Sequence, residues 1–199
     1  ASIMDVDDFP SRFHRSAAGH APTLKMKAMR HQKAFSWKRH ERNCLRRFEL
    51  LTVCKEADRE SFGDPARVHV VPNGFAVPAG ASVSIARDGE RLGMIGDFNY
   101  LPNHDGLRWF MREVWGRVRE QVPGAELRLV GKGSEEIARS FPDAGVLGLG
   151  YVPDVAEETG SWSCMIVPTR LGGGTHLKVA EGLARKVPIV TTSHGSRGY

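Results

Sequence analysis

Residues 168–190 read Pro168-Thr169-Arg170-Leu171-Gly172-Gly173-Gly174-Thr175-His176-Leu177-Lys178-Val179-Ala180-Glu181-Gly182-Leu183-Ala184-Arg185-Lys186-Val187-Pro188-Ile189-Val190. An apolar run, Cys164 to Val167, stops at Pro168, and a second β-branched run begins at Ile189 and extends to Thr192. The order is therefore strand, glycine loop, helix and strand, a βαβ unit. Gly172, Gly173 and Gly174 let the backbone turn tightly and approach a ligand with no Cβ in the way. They stand just before the helix start, where free N–H groups and the helix dipole favour an anion such as phosphate. Spacings of four, three and four put Gly174, Lys178, Glu181 and Arg185 on one helical stripe. Leu177, Ala180, Leu183 and Ala184 are expected to point to the sheet. A plain loop followed by a solvated Lys178–Glu181 pair accounts for the same residues taken singly.

As a set, Pro168, Gly172-Gly173-Gly174-Thr175, Lys178, Glu181-Gly182-Leu183-Ala184 and Pro188-Ile189-Val190 closely resemble the donor-binding signature of retaining GT-B glycosyltransferases of family 4. Upstream stretches look like the family's further landmarks in order: Val70 to Gly74, Ile95 to Tyr100 with Pro102-Asn103, Leu129-Val130-Gly131, and Gly150-Tyr151-Val152-Pro153-Asp154. The resemblance covers roughly residues 40 to 199. It implies an α/β fold of GT-B type: a parallel-sheet, Rossmann-like donor domain plus the C-terminal remnant of a Rossmann-like acceptor domain. It also implies a hexosyltransferase-like enzyme acting without metal or cofactor, with a nucleotide sugar as donor substrate and a sugar or lipid-linked acceptor.

The same resemblance distributes the site. Tyr151 and Val152 would meet the base, Glu181 the ribose hydroxyls, and Gly173, Gly174 and Thr175 the diphosphate. Gly96, Asp97 and Asn103 would line the donor pocket. Lys178 and Arg170 would neutralise the charge that grows on the leaving phosphate. Two positions depart from the family pattern. Of its two glutamates eight residues apart, Glu181 matches the second, whereas Gly173 stands at the first. The Arg and Lys that many members carry after the first strand of this domain are replaced near Asp97 and Asn103, which leaves Lys178 and Arg170 as the candidate cations.

Composition bounds the rest. The chain has 199 residues, 41% hydrophobic and 26% charged, with a net charge of +5. It is long enough for one large or two small domains of ordinary globular type. Cys44, Cys54 and Cys164 lie far apart and odd in number, which argues against a disulfide framework and for a reducing, cytoplasmic setting, at the inner face of the membrane if the acceptor is lipid-linked. No apolar run is long enough to span a bilayer. A start at Ala1 and an end at Tyr199, just past a strand, read as a fragment cut at both ends.

Along the chain, Ile3 to Val6 reads as a strand running into Asp5-x-Asp7-Asp8. Such a pair of carboxylates suits a divalent cation, and it resembles the opening motif of haloacid-dehalogenase-like phosphatases, with Asp5 as nucleophile and Asp7 as acid. Asp8 and Phe9 depart from that motif, and an acidic turn at a strand end is the simpler reading. Residues 12–47 gather eleven Lys and Arg with Met26, Met29, Phe35, Trp37 and Leu45, predicting one or two helices with a basic face. No nucleic-acid-reading module follows, so the candidate partners are an anionic membrane surface or solvent.

The domain boundaries follow from composition: 1–74 as the acceptor-side remnant, 75–90 as an Ala/Pro/Gly/Ser linker, and 91–199 as the incomplete donor domain. Within the last, strands and helices alternate, with a helix over 105–121, so a parallel sheet covered on both faces is expected. Ligands of such sheets bind beyond the carboxyl ends of the strands. A non-catalytic module that binds a nucleotide sugar or a membrane surface remains open beside the transferase and the phosphatase.

Overall fold

The computed structural model of the chain describes residues 2–76, 88–142 and 144–199. Two compact units emerge: residues 1–74 with 171–176 and 197–199, and residues 75–170 with 177–196. Of the expected linker, 77–87 lie outside the described residues.

In the first unit, three short parallel strands pair in the order β1 (Ile3–Val6), β2 (Leu50–Val53), β3 (Val68–Val70). Leu51, Val53 and Val68 are fully shielded and pack with Phe9 and Phe62. Between β1 and β2 run α1 (Pro10–Gly19), α2 (Leu24–Arg42) and α3 (Cys44–Arg47). Pro10 opens α1 in the first turn, where its missing N–H costs nothing. Thr23 caps α2 by accepting from the Met26 amide. After β2 come α4 (Glu56–Arg59) and two 3₁₀ turns, Glu60–Phe62 and Pro65–Arg67. The predicted basic face of 12–47 is not sorted as expected. On α2 the Lys and Arg are spread around the axis, only Ala34 is buried, and Leu24, Met26, Met29, Phe35 and Trp37 are exposed. His69 lies exposed on β3.

The second unit is a five-stranded, all-parallel sheet in the order β6 (Val146–Gly148), β5 (Glu126–Val130), β4 (Asp88–Ile95), β7 (Trp162–Val167), β8 (Ile189–Thr191). Sequence order runs outward from β4 to β6 on one side, then crosses to β7 and β8 on the other. The carboxyl end of β4 is thus the switch point where such sheets open a crevice. The expected 105–121 helix starts earlier, as α5 (Leu101–Phe110), because Pro102 fits its first turn. It passes through a π-helical stretch at Met111–Trp115 into α6 (Gly116–Gln121). Leu107, Phe110 and Trp115 pack with Met94, Leu127 and Leu129. A second core contains Val130, Trp162, Met165, Val167, Val179 and Val187. Between the sheet strands run α7 (Ser134–Ala138), α8 (Val155–Gly160) and α9 (Leu177–Ala184). Gly93 on β4 is required by close approach: a Cβ there would lie 2.1 Å from the Trp162 ring.

The buried face of α9 differs from expectation. Leu177 and Leu183 are 49% and 58% exposed, while Val179 and Gly182 are buried. Gly182 lets α9 approach so closely that a Cβ would meet Ile189 Cδ1 at 2.9 Å. The helix is rotated so that its smallest residue, rather than its leucines, sits against the β7–β8 layer.

Candidate functional site

The rotation of α9 that exposes Leu177 turns the next residue inward. Lys178 carries its ammonium to the carboxyl end of β4, where a Cβ on Gly96 would lie 2.8 Å from its Nζ. It donates a hydrogen bond to Asn103 Oδ1. Asn103 is 5% exposed and donates in turn to the Asp97 carbonyl at 2.7 Å, while the Asp97 carboxylate accepts from the Asn99 amide at 2.9 Å. Burial pushes the Lys178 pKa down to about 8, against the raising influence of Glu181 and Asp97. A cation held in so enclosed a place, with no contacting carboxylate among the described residues, is poised to take an anion. Four of the expected residues, Gly96, Asp97, Asn103 and Lys178, therefore converge at the switch point.

The neighbouring loops are laced to that point by backbone. Gly96 N donates to Val130 O at 2.9 Å, Phe98 N to Lys132 O at 2.8 Å, and Gly131 N to Gly150 O at 2.6 Å. Ser134 Oγ accepts from Gly150 N at 2.8 Å. Gly131, at φ +117°, brings its Cα to within a methyl's reach of the Gly96 carbonyl, which a side chain would forbid. Beyond this lattice Tyr151 stands 94% exposed, and Val152 packs partly into the core.

Glu181 and Arg170 are already engaged. Glu181 Oε1 accepts from Arg185 at 3.1 Å, one turn along α9. The Arg170 guanidinium grips Asp105 through both carboxylate oxygens at 2.8–3.1 Å and lies 5.5 Å from the centre of the Trp109 ring. Its charge is cancelled locally, so the expected role of Arg170 as a second phosphate-neutralising cation lacks the exposed charge that role needs.

The loop before α9 packs with the first unit. A Cβ on Gly173 would lie 2.5 Å from Asp8 Oδ1 and 2.6 Å from Phe9 O, and one on Gly174 would lie 3.0 Å from Asp7 O. Lys55 Nζ donates to the Gly173 and Gly174 carbonyls at 3.4 and 3.3 Å. The glycines thus permit an approach to the chain itself, to the turn after β1. Thr175 Oγ1 is buried with no hydrogen-bond partner, an orphan group of the kind that a ligand satisfies.

Sequence reasoning missed the grouping at the carboxyl ends of the three strands of the first unit. Asp7 accepts from Asn73 Nδ2 at 2.8 Å and from the Cys54 thiol at 2.9 Å, and these bonds hold its carboxyl below the usual range. The Cys54 thiol is pushed up to about 12, chiefly by burial. Burial also raises Asp8. Asp5 instead accepts from Thr52 Oγ1 at 2.5 Å. The carboxylates of the phosphatase reading therefore serve separate partners. The available signal was that Asp7 directly follows the strand read from Ile3 to Val6; Cys54 and Asn73 stand just past β2 and β3.

The family model of glycosyl transferases group 1 matches residues 89–198. The fold is that of solved GT-B structures. Staphylococcus aureus TarM, crystallised with fondaparinux, α-GlcNAc-glycerol and UDP, matches at TM-score 0.63 and 16% identity over 78% of this chain and 32% of its own. WaaG, a glycosyltransferase involved in lipopolysaccharide biosynthesis, gives 0.60 and 15% over 96% and 56%. Anabaena HepE in complex with UDP gives 0.64 and 13% over 96% and 53%. The chain thus spans from about a third to just over half of these proteins. No curated protein matches it. With more than half of its residues inside the family model and a β4 switch point built as described, the chain belongs to the glycosyl transferases group 1.

Proposed function

We propose that the chain carries the donor-binding part of a retaining, metal-independent glycosyltransferase that moves a sugar from a nucleotide sugar to a sugar or lipid-linked acceptor. The observation that carries this is Lys178: a buried ammonium at the sheet's switch point, depressed to about 8, held by Asn103 and one turn before Glu181. Its chemistry suits a diphosphate. As the acceptor hydroxyl attacks the anomeric carbon, the sugar–phosphate bond breaks and its electron pair leaves with the diphosphate, which also receives the hydroxyl proton. Lys178 offsets the charge that develops there, a duty a metal ion performs elsewhere.

Gly173, Gly174 and Thr175 enter by chain connectivity, immediately before α9, with the Thr175 hydroxyl donating to phosphate. Glu181, released from Arg185, accepts from the ribose hydroxyls, and exposed Tyr151 with Val152 meets the base. Asp97 and Gly96 shape the pocket floor, and Arg170 acts as a positioning residue through Asp105. The domain assignment of 1–74 to the acceptor side and 91–199 to the donor side belongs to the same reading. So does peripheral contact of 12–47 with an anionic membrane, supported by the exposed cations and apolar side chains of α2. Among the described residues no helix is long and apolar enough to cross a membrane.

UDP, present in the TarM and HepE complexes, and UDP-glucose, present in a HepE complex, are the first probes. Calorimetric titration should show saturable UDP binding that Glu181→Ala weakens about tenfold or more, the value of one or two charge-assisted hydrogen bonds. Equal binding by the two proteins would remove Glu181 from the site.

A further inference from the structure

The first unit contains a cavity of about 270 Å³ on the flank of the α1–α2 pair, outside the donor pocket and lined in part by the 12–47 stretch, whose proposed membrane contact a lipid-bound phosphate here would deepen. Arg12 and Arg15 of α1 line it at a spacing of three, and Lys38 and Arg42 of α2 at a spacing of four. Each helix thus turns two cations toward one space. Phe9 and Phe62, both buried and 5.6 Å apart between ring centres, give it an apolar floor.

The charges are not balanced within it. The one carboxylate in the lining among the described residues, Glu41, is occupied by Ser11, accepting from its amide at 2.9 Å and its hydroxyl at 2.6 Å. Arg12 is fixed in place. It bonds Asp58 and Ser61 Oγ, and its guanidinium stacks 4.4 Å from the centre of the Phe9 ring. Arg15, Lys38 and Arg42 have no ion-pair partner among the described residues. With Arg12 paired to Asp58, the three cations Arg15, Lys38 and Arg42, gathered beside one occupied carboxylate over a floor of phenyl rings, repel one another more than they would on an open surface, and an anion relieves that cost. Guanidinium forks and an ammonium suit a group with several acceptor oxygens arranged tetrahedrally better than a single carboxylate.

We infer that this cavity binds a phosphate group, carried either by a soluble phosphate ester or by the head of an anionic lipid. The site stands independently of the donor-binding reading and is tested without a nucleotide sugar. The full chain is titrated with inorganic phosphate and with glycerophosphoglycerol, and is sedimented with phosphatidylglycerol vesicles against phosphatidylcholine vesicles. The Arg15→Gln/Lys38→Gln variant is compared with Arg117→Gln/Arg139→Gln, which removes the same charge from exposed positions of the second unit. Arg42→Gln, a single exposed change, serves if the first variant misfolds by circular dichroism.

Phosphate binding should weaken about tenfold in the cavity variant and stay within about twofold in the control. A lipid source shows as retention on phosphatidylglycerol that the cavity variant loses and free phosphate competes away. A soluble source shows as phosphate binding without retention. Absence of saturable binding to every probe, or equal loss in both variants, overturns the site.

Discussion

Lys178→Met is the most informative perturbation, because it separates what the fold wants at that position from what the ligand wants. Methionine keeps the length and most of the volume of the lysine stem and removes the ammonium. Keeping that ammonium charged in the folded chain at pH 7 costs the free energy of moving its pKa from 10.5 to about 8, about 3 kcal/mol at roughly 1.4 kcal/mol per unit. Against this, Asn103 Oδ1 loses its donor, which costs about 1–2 kcal/mol for a buried acceptor left unpaired. The variant should therefore be more stable than the parent by about 1–2 kcal/mol near neutrality, measured by urea denaturation. The gain should depend on pH. A depressed lysine destabilises the fold fully below about pH 8 and ceases to do so as pH rises toward 10.5, so the parent should catch up with the variant over that interval. The same variant should lose most of its affinity for UDP. A Lys178→Met protein that is less stable than the parent at pH 7 and binds UDP equally well would refute the assignment of Lys178 as a strained cation kept for a ligand.

Gly93→Ala drives a methyl group into the Trp162 ring between the two central strands; a loss of about 3 kcal/mol in urea denaturation is expected, and a loss under about 0.5 kcal/mol would show that β4 and β7 repack freely. Glu158 links β5 and β7 by accepting from Arg128 at 2.9 Å and from Trp162 Nε1 at 2.9 Å, and the Arg128 bond holds its carboxyl below the ordinary 4.5. Its contribution is present above pH 4.5 and fades as pH falls through the lower folded value, so Glu158→Gln should flatten the acid limb of the stability profile; an unchanged limb would place the acid sensitivity elsewhere.

The alternation of strand and helix in 91–199 was legible where a strand is an apolar run with punctuation at its carboxyl end: the runs Cys164 to Val167 and Ile189 to Thr192 appear as β7 and β8 within a few residues of expectation. Convergence of Gly96, Asp97, Asn103 and Lys178 was legible for the same reason: residues just past strand ends in a doubly wound sheet gather at one edge. The orientation of α9 was not. Leucine at 177 and 183 reads as a core face, but the surface of β7 and β8 accepts only a glycine-sized contact at Gly182. Arg170 looked like an available cation because Asp105, its partner, is 65 residues away in sequence. The glycine triplet suggested room for a ligand, whereas part of that room is taken by Asp8 and Phe9.

The central claim, that the β4 switch point receives a diphosphate on Lys178, is tested most directly by UDP titration of the chain across pH 7 to 10. Affinity should hold nearly constant up to about pH 8, where the free ammonium begins to lose its proton, and then fall by up to about tenfold per unit. Lys178→Met should bind weakly at every pH with no such break. A parent protein whose UDP affinity runs flat through that range, or that binds no nucleoside diphosphate at all, would contradict it.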